Sequence, residues 1–414
     1  MRILLVHNYY GSSAPSGENR VFEAERAMLG KYGEIVETFT RHSDEIRGAK
    51  VKEEGEGGQW TCRFLSRAQK LYGLIKGAVC TVANPFAAWA LKKKIREFGP
   101  DVVHFHNTFP LISPLAIRAA HKSGAKVVMT LHNYRTVCAA GVPTRCGKVC
   151  TECFVQSNNQ NNQTILPAIC HRCYRGSLLA TIPLALDIWL YRKRWAKWVD
   201  RFICLTPFAR DMMISAGFPS DKLVVKGNFI QAVGVQIESA ERENQVLYVG
   251  RLSEEKGVRT LIEAWNLMGE NAPVLKIIGD GDSRGVYEGF AKNPRVQFCG
   301  QQPYNEVLRA VATAKLVVIP SMCYEGLPTN LMEAFVLGTP CLVSDLGALP
   351  SLVGDDCMVF KAGDANALAR TVAAFMQRDD WRDVSLRVRE MGLARYSEDQ
   401  NYKMINSIYR EVAE

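Results

Sequence analysis

Cys323-Tyr324-Glu325-Gly326-Leu327-Pro328-Thr329-Asn330-Leu331-Met332-Glu333 sets two acids eight residues apart around a loop that turns into a helix. Gly326 frees the backbone, Pro328 suits a first helical turn, and Leu331, Met332, Ala334 and Phe335 supply apolar helical faces. Glu325 therefore belongs to the loop and Glu333 to the helix. Two acids at this spacing would by themselves describe a solvated helix face. The flanks change that reading: Lys315–Pro320 (KLVVIP) is a buried strand leading in, and Gly338-Thr339-Pro340 stops the helix before a second strand, Cys341–Ser344 (CLVS). Strand, loop, helix, strand is a nucleotide-binding half-unit with its loop at the carboxyl end of a parallel sheet. The N–H groups around Gly326 to Asn330 point out of such a helix start, where the positive dipole end holds an anion such as phosphate. Eight helical residues span roughly 12 Å, about the reach of a nucleotide sugar, so the two acids can grip opposite ends of one ligand.

The same alternation extends outward. In the first half, strands are predicted at Met1–Asn8, Glu34–Thr40, Asp101–Asn107, Lys126–His132, Arg201–Thr206 and Lys222–Phe229; in the second, at Gln245–Gly250, Val274–Gly279, Arg295–Cys299, Lys315–Pro320, Cys341–Asp345 and Cys357–Phe360. Amphipathic helices separate them, which makes an α/β chain of two Rossmann-like, doubly wound parallel-sheet units. Periodicity lapses near Asn228 to Asn244, giving a first domain of residues 1–228, a second of 229–390, and a C-terminal segment 391–414 whose helix Asn401–Ala413 folds back on the first. A length of 414 residues suits two such domains. The N-terminal apolar run Ile3–Val6 is too short for a signal peptide, and the longest apolar stretch, Leu178 to Leu190, contains Pro183 and Asp187, so a cytoplasmic protein is expected.

Charge is unevenly placed. Residues 1–228 carry 32 Lys+Arg against 17 Asp+Glu (+15), and residues 229–414 carry 19 against 25 (−6). The first half should meet something anionic. Cys62–Lys76 (CRFLSRAQKLYGLIK) aligns Phe64, Ala68, Leu71, Tyr72 and Ile75 beside Arg63, Arg67 and Lys70, and Trp189–Asp200 (WLYRKRWAKWVD) mixes three Trp with Arg192, Lys193, Arg194 and Lys197. Both suit either an interfacial helix on an anionic membrane surface or an ordinary amphipathic helix covering its own domain. A nucleic-acid binder is disfavoured by the acidic second half and the lack of a basic recognition helix.

Several motifs carry chemistry. Tyr248-Val249-Gly250-Arg251-Leu252-Ser253-Glu254-Glu255-Lys256-Gly257 follows the first strand of the second unit, and Arg251 with Lys256 can neutralise a leaving diphosphate at the mouth of the sheet that carries Glu325. Gly279-Asp280-Gly281-Asp282 ends a strand, where Asp280 is expected to cap the next helix and line the nucleotide pocket without holding metal. In the first unit, Ser16-Gly17-Glu18-Asn19 precedes a helix, and Gly17 allows close backbone approach. His104-Phe105-His106-Asn107 and His132-Asn133-Tyr134-Arg135 end strands, with His106 nearest the sheet's end. Among thirteen cysteines, Cys150-x2-Cys153 and Cys170-x2-Cys173 have zinc-ribbon spacing around the polar run Gln156–Gln163, with Cys138 and Cys146 close by; a structural zinc or free thiols both fit.

Together these residues resemble the family-4 retaining glycosyltransferases of the two-domain GT-B fold, whose domains face each other across a cleft. The resemblance rests on Gly17, His106, Gly250-Arg251 with Lys256, Gly279-Asp280-Gly281 and the Glu325-x7-Glu333 pair with Gly326-Leu327-Pro328. It implies a nucleotide diphosphate sugar donor held mainly by the second domain. Arg251 and Lys256 would contact the diphosphate, Glu333 the ribose, and Glu325 with the amides from Gly326 through Leu327, Pro328, Thr329 and Asn330 the sugar. Gly279, Gly300 and Gln302 would meet the base, and His106 and Gly17 would reach the sugar and phosphate from the first domain. Catalysis would use no metal, and the acceptor would be a saccharide or a polyprenyl-diphosphate-linked glycan. The cysteine-bearing segment, about 138–175, resembles a branch of the family in bacterial surface-polysaccharide pathways, which implies Cys138, Cys150, Cys153 and Cys173 as the zinc set with Cys170 as an alternative. A sugar-nucleotide epimerase of the same shape is the competing enzyme, and a zinc-containing nucleic-acid binder the remote one.

Overall fold

The computed structural model of the chain describes residues 1–11, 16–47, 67–154, 164–231, 242–354 and 358–414, without the side chains of residues 67–71. It forms two compact units, Met1–Gly141 with Thr151–Lys226 and Tyr402–Glu414, and Gly227–Asn401 with Val142–Cys150. Most of the expected join, residues 232–241, lies outside the described residues, as do Cys62, Arg63, Phe64 and the run Gln156–Gln163.

The first unit runs β1 (Arg2–Tyr9), α1 (Gly17–Lys31), β2 (Ile35–His42), α2 (Arg67–Val82), α3 (Pro85–Phe98), β3 (Val102–Asn107), α4 (Pro114–Lys122) and β4 (Lys126–Leu131). A hairpin of β5 (Thr144–Arg145) and β6 (Lys148–Val149) follows, then α5 (Leu166–Cys170), α6 (Leu178–Trp198), β7 (Arg201–Cys204), α7 (Pro207–Ser215) and β8 (Leu223–Val225). The six-stranded sheet is parallel throughout, in the order β2-β1-β3-β4-β7-β8. Ile3 to Val6 and Val102, Val103 and Phe105 are wholly buried, because helices cover both faces of a parallel sheet and leave no alternation.

The second unit runs β9 (Glu243–Val249), α8 (Val258–Met268), β10 (Val274–Ile278), α9 (Arg284–Phe290), β11 (Val296–Gly300), α10 (Tyr304–Thr313) and β12 (Ala314–Ile319). It continues through α11 (Thr329–Val336), β13 (Cys341–Ser344), α12 (Leu349–Val353), β14 (Val359–Phe360), α13 (Ala365–Met376) and α14 (Trp381–Tyr396), and α15 (Glu398–Ala413) follows, grouping with the first unit from Tyr402 onward. Its parallel sheet has the order β11-β10-β9-β12-β13-β14, so the winding direction reverses between β9 and β12.

Two boundaries differ from the sequence reading. A cut at 391 would divide α14, whose buried Val384, Val388 and Tyr396 belong to one hydrogen-bonded helix packed on α11; the second unit therefore runs to Asn401. The Cys-rich insertion is also not wholly first-unit, since Val142–Cys150 forms its own antiparallel hairpin and groups with the second unit.

Candidate active site

The reversal between β9 and β12 brings the loops after these two strands side by side, which in open α/β sheets is where ligands bind. One glycine lets them approach, and a second brings the loop after β10 against the loop after β9. A Cβ on Gly257, which has φ 69°, would lie 1.8 Å from the Pro320 carbonyl oxygen, and one on Gly279, at φ 141°, would lie 1.9 Å from that of Gly250. Only glycine fits both the left-handed backbone and the space. The Asn330 side chain then ties the loops together by donating to the Val249 carbonyl at 2.8 Å.

Lys256 Nζ donates to both carboxylate oxygens of Glu325, at 2.7 and 3.0 Å, and the Ser321 hydroxyl donates to the same carboxylate. Burial would push Glu325 upward, but the Lys256 charge and these hydrogen bonds hold it below the usual carboxylate range. Burial likewise opposes charge on Lys256, and the carboxylate overcomes it, leaving the ammonium above its ordinary value. An ionised pair thus stands at the sheet's carboxyl edge. Arg251 is largely exposed, with Nη2 3.4 Å from Glu255 Oε1, and the Tyr248 hydroxyl holds its loop by donating to the Arg251 carbonyl at 2.7 Å.

Helix α11 begins at Thr329, with Pro328 at the N-cap and no side chain capping it. Pro328 therefore stands just before the helix instead of in its first turn, and only the latter half of the Glu325 to Glu333 spacing is helical. The first N–H groups of α11, at Thr329, Asn330 and Leu331, have no intrahelical carbonyl to pair with, and this helix start lies one loop away from the Lys256–Glu325 pair. Gly326 and Leu327 complete that loop, and Glu333 is buried on the second turn of α11. Gln302 donates to the Cys299 carbonyl at 2.6 Å, beside the left-handed Gly300. Asp280 does not cap: α9 starts at Arg284 after Ser283, and the Asp280 carboxylate instead accepts from the adjacent Gly281 N–H at 2.8 Å. Gly281 sits where a Cβ would meet the Leu252 carbonyl oxygen.

In the first unit Gly17 opens α1, and the residues after it turn back onto the sheet: Asn19 Oδ1 lies 3.0 Å from His7 Nε2, and the Asn133 amide donates to Glu18 at 2.7 Å. His106 is buried, its Nδ1 3.0 Å from His132 Nε2 and its Nε2 3.3 Å from Glu25 Oε1. His104 Nδ1 lies 3.0 Å from the same oxygen, and Lys226 Nζ lies 3.2 Å from Glu25 Oε2. Among the described residues, the donor atoms of Glu25, His104 and His106 converge to within 4.8 Å of one another. Lys226 already supplies the cation there, so the cluster is an internal charge network. Burial would raise Glu25; the neighbouring Lys226, His106 and His104 hold it well below its usual range. His106 and His132 also line a cavity with Asn107, Thr108, Asn133 and Arg135.

Sequence reasoning missed Glu25, Lys226 and Ser321. Glu25 left a signal, since it interrupts the apolar stripe Val21, Phe22, Met28, Leu29 of α1. Lys226 directly follows β8, inside the longer run Lys222–Phe229 that the sequence predicts as a strand, where nothing local points to a buried acid as its partner. In the cysteine segment, Cys138 and Cys153 both interact electrostatically with Arg192, whose guanidinium donates to the Val137 and Cys153 carbonyls at 3.1 Å. Cys153 and Cys173 pack against the buried cluster Ala139, Ala168, Leu184 and Ile188, whereas Cys146 and Cys170 are exposed.

A family model described as Glycosyl transferases group 1 matches residues 232–389, and one described as Glycosyltransferase Family 4 matches residues 81–232. A Bacillus subtilis (strain 168) protein that carries the name of a teichuronic acid biosynthesis glycosyltransferase, TuaC, is 31% identical across 100% of this chain and 99% of its own length. The chain belongs to the family-4 glycosyltransferases. Glycogen synthase of Mycobacterium tuberculosis (strain ATCC 25618 / H37Rv) is 34% identical over 85% of this chain and 80% of its own. Among solved structures, Anabaena HepE in complex with UDP has a TM-score of 0.64 at 14% identity, covering 99% of this chain and 100% of that one. Sucrose-phosphate synthase from Thermosynechococcus elongatus also has a TM-score of 0.64, at 18% identity over 99% and 98%. These likenesses show the GT-B fold, and the two family matches divide at residue 232, close to the division between the units. For a glycosyltransferase of this family, the Lys256–Glu325 pair and the uncapped start of α11, where the loops after β9 and β12 meet, are the candidate donor site.

Proposed function

We propose that the chain moves a sugar, with retention of anomeric configuration, from a nucleotide diphosphate sugar to a saccharide or polyprenyl-diphosphate-linked acceptor during assembly of a cell-surface polysaccharide. The observation that carries this is the charged Lys256–Glu325 pair beside the uncapped start of α11, at the reversal point of the second sheet. The names of relatives support the pathway, among them TuaC and the amylovoran biosynthesis glycosyltransferase AmsK of Erwinia amylovora, 26% identical over 49% of this chain and 54% of its own. In the proposed step the bond between the anomeric carbon and the diphosphate oxygen stretches. Lys256, Arg251 and the α11 amides meet the charge that grows on the diphosphate, and a leaving oxygen takes the acceptor's proton as the new glycosidic bond forms on the same face. Glu325 steadies the sugar, Glu333 the ribose, and the surface around Gly279, Gly281 and Gln302 the base. A lipid-linked acceptor would place the enzyme on the inner face of the plasma membrane. We also propose a structural zinc on Cys138, Cys150, Cys153 and Cys173, for which the adjacent Arg192 cation would offset part of the thiolate charge; among the described residues these thiols do not converge as the Glu25, His104 and His106 donors do, so the metal would draw them together.

The test is a thermal-shift and turnover panel of UDP, GDP and ADP sugars with and without acceptor glycans, the product anomer being read by NMR. Arg251→Ala and Lys256→Ala should each lower turnover by about two decades or more, as does loss of a transition-state donor. Near-native rates in both would reject the clamp, and a donor whose sugar is altered without acceptor would mark an epimerase instead.

A further inference from the structure

Helices α2, α3 and α6 of the first unit expose far more apolar surface than a covering helix needs. Phe86 is 82% exposed, Leu179 81%, and Trp89 and Trp189 each 66%, with Tyr72, Leu74, Ile75 and Val79 of α2 also open to solvent. In α3 this is surplus: Ala87, Leu91, Ile95 and Phe98 already form a buried inner face. In α2 the inner face is Gly73, Gly77 and Thr81; a Cβ on Gly73 would lie 2.1 Å from the Ile46 carbonyl oxygen, so this glycine side must face inward and the apolar residues outward. In α6 the outward row is Leu179, Ile182, Leu186 and Trp189, opposite buried Leu184, Ile188 and Trp195. A helix apolar on both sides is at home only in a core or in lipid. Of the segment Trp189–Asp200, Trp189 ends this outward row, whereas Arg192 and Trp195 are buried against the unit.

Charge is ordered along the same rows. After Phe86 and Trp89 the α3 row continues to Lys93 and Arg96, and after Trp189 the α6 row continues to Lys193 and Lys197. The three helices hold eleven Lys and Arg against two acids, of which Asp187 is buried and Glu97 lies 3.7 Å from Lys93. A second copy of this chain docking here through a two-fold axis would bring cations to cations. An anionic lipid surface answers both features, since apolar residues with Trp enter the headgroup boundary and the next turns meet phosphates. Among the described residues no single helix is long and apolar enough to cross a membrane; Tyr72–Val82 and Pro85–Phe98 reach that length and hydropathy only together, as a pair bent by 56°.

We propose that α2, α3 and the first half of α6 form a face that seats the enzyme on an anionic bilayer, with Tyr72, Ile75, Phe86, Trp89, Leu179 and Trp189 inserted. The choice of bilayer as partner agrees with the lipid-linked acceptor proposed above, but the face stands on its own residues.

The experiment is cosedimentation of the full chain with vesicles of phosphatidylcholine, with and without phosphatidylglycerol, at low and high salt. The wild type should bind the anionic vesicles, less so in salt. The triple variant Trp89→Ser, Leu179→Ser, Trp189→Ser should lose about tenfold or more in binding. Leu267→Ser, which removes an exposed leucine of α8, should bind as the wild type does. A wild type that stays in solution, a triple variant that binds equally, or a wild-type dimer that becomes monomeric in the triple variant would overturn the face. Nucleotide-sugar thermal shift is read separately and should not change in the triple variant. Vesicle binding without any donor shift would sink the function proposed above and leave the face intact.

Discussion

Lys256 and Glu325 each set the other's charge, and this coupling gives a signed prediction. Lys256 lies above its ordinary value because the carboxylate outweighs burial; in Glu325→Gln burial and the nearby Arg251 charge are left, and both favour the neutral amine. The alkaline limb of the residual kcat/KM should therefore move to lower pH in the variant, and a limb that stays in place would show that Lys256 does not act in the measured step. Glu25 gives a second prediction of a different kind. It is 2% exposed beside Lys226 at 1%, so removing one partner strands a charge in a dry interior. Glu25→Ala or Lys226→Ala should each cost on the order of 3–5 kcal/mol in urea unfolding, while the apolar double variant Glu25→Leu, Lys226→Met should recover most of that loss. Additive losses would mean that the pair is not coupled.

At the scale of elements, each of the twelve strands of the two parallel sheets overlaps a run predicted as a strand, although β8 stops at Val225 where the prediction continues to Phe229, and the decisive loop between β12 and α11 stands in its expected place. Parallel strands covered on both faces are legible because burial makes them continuously apolar. Side-chain partners across long sequence distances were not legible: Ser321 on Glu325 follows from local geometry, but Lys226 on Glu25 joins residues 201 apart and needs the sheet order first. Asp280 was misassigned because a strand-end Asp next to Gly satisfies the neighbouring N–H as readily as a helix start. The hairpin of β5 and β6 was hidden inside a polar, cysteine-rich stretch with no periodicity to read. That stretch carries the zinc prediction. Cys153→Ser and Cys173→Ser should each abolish bound zinc measured by elemental analysis, while Cys170→Ser should retain it, because the Cys170 thiol is exposed and the other two pack on one apolar cluster. Zinc lost with Cys170→Ser and kept with Cys173→Ser would select the alternative ligand.

Over the whole molecule, the two units differ in how they take up protons. All seven histidines fall in the first unit, and the second has none. Burial pushes His7 down to about 3 and His104 down to about 4, burial with the neighbouring His106 holds His132 well below its usual value, and burial also lowers His42. The unfolded chain protonates these imidazoles near 6.5 and the folded unit does not, so below that pH the unfolded state binds more protons and stability falls as pH falls. Glu18 and Asp187, raised by burial, act in the opposite sense, but two carboxyls do not cancel four imidazoles. Each uncancelled proton is worth about 1.4 kcal/mol per pH unit. Between pH 6.5 and about 5.5, where Glu325 remains ionised in folded and unfolded chain alike, the second unit should hardly change. Hydrogen exchange read peptide by peptide should therefore show α1, β3 and β4 losing protection across this window, after correction for intrinsic rates, while β9, β12 and α11 keep theirs. Parallel loss in both units would place the acid-sensitive groups elsewhere, and His104→Gln, which removes one of the four imidazoles, should make the first unit's pH dependence shallower.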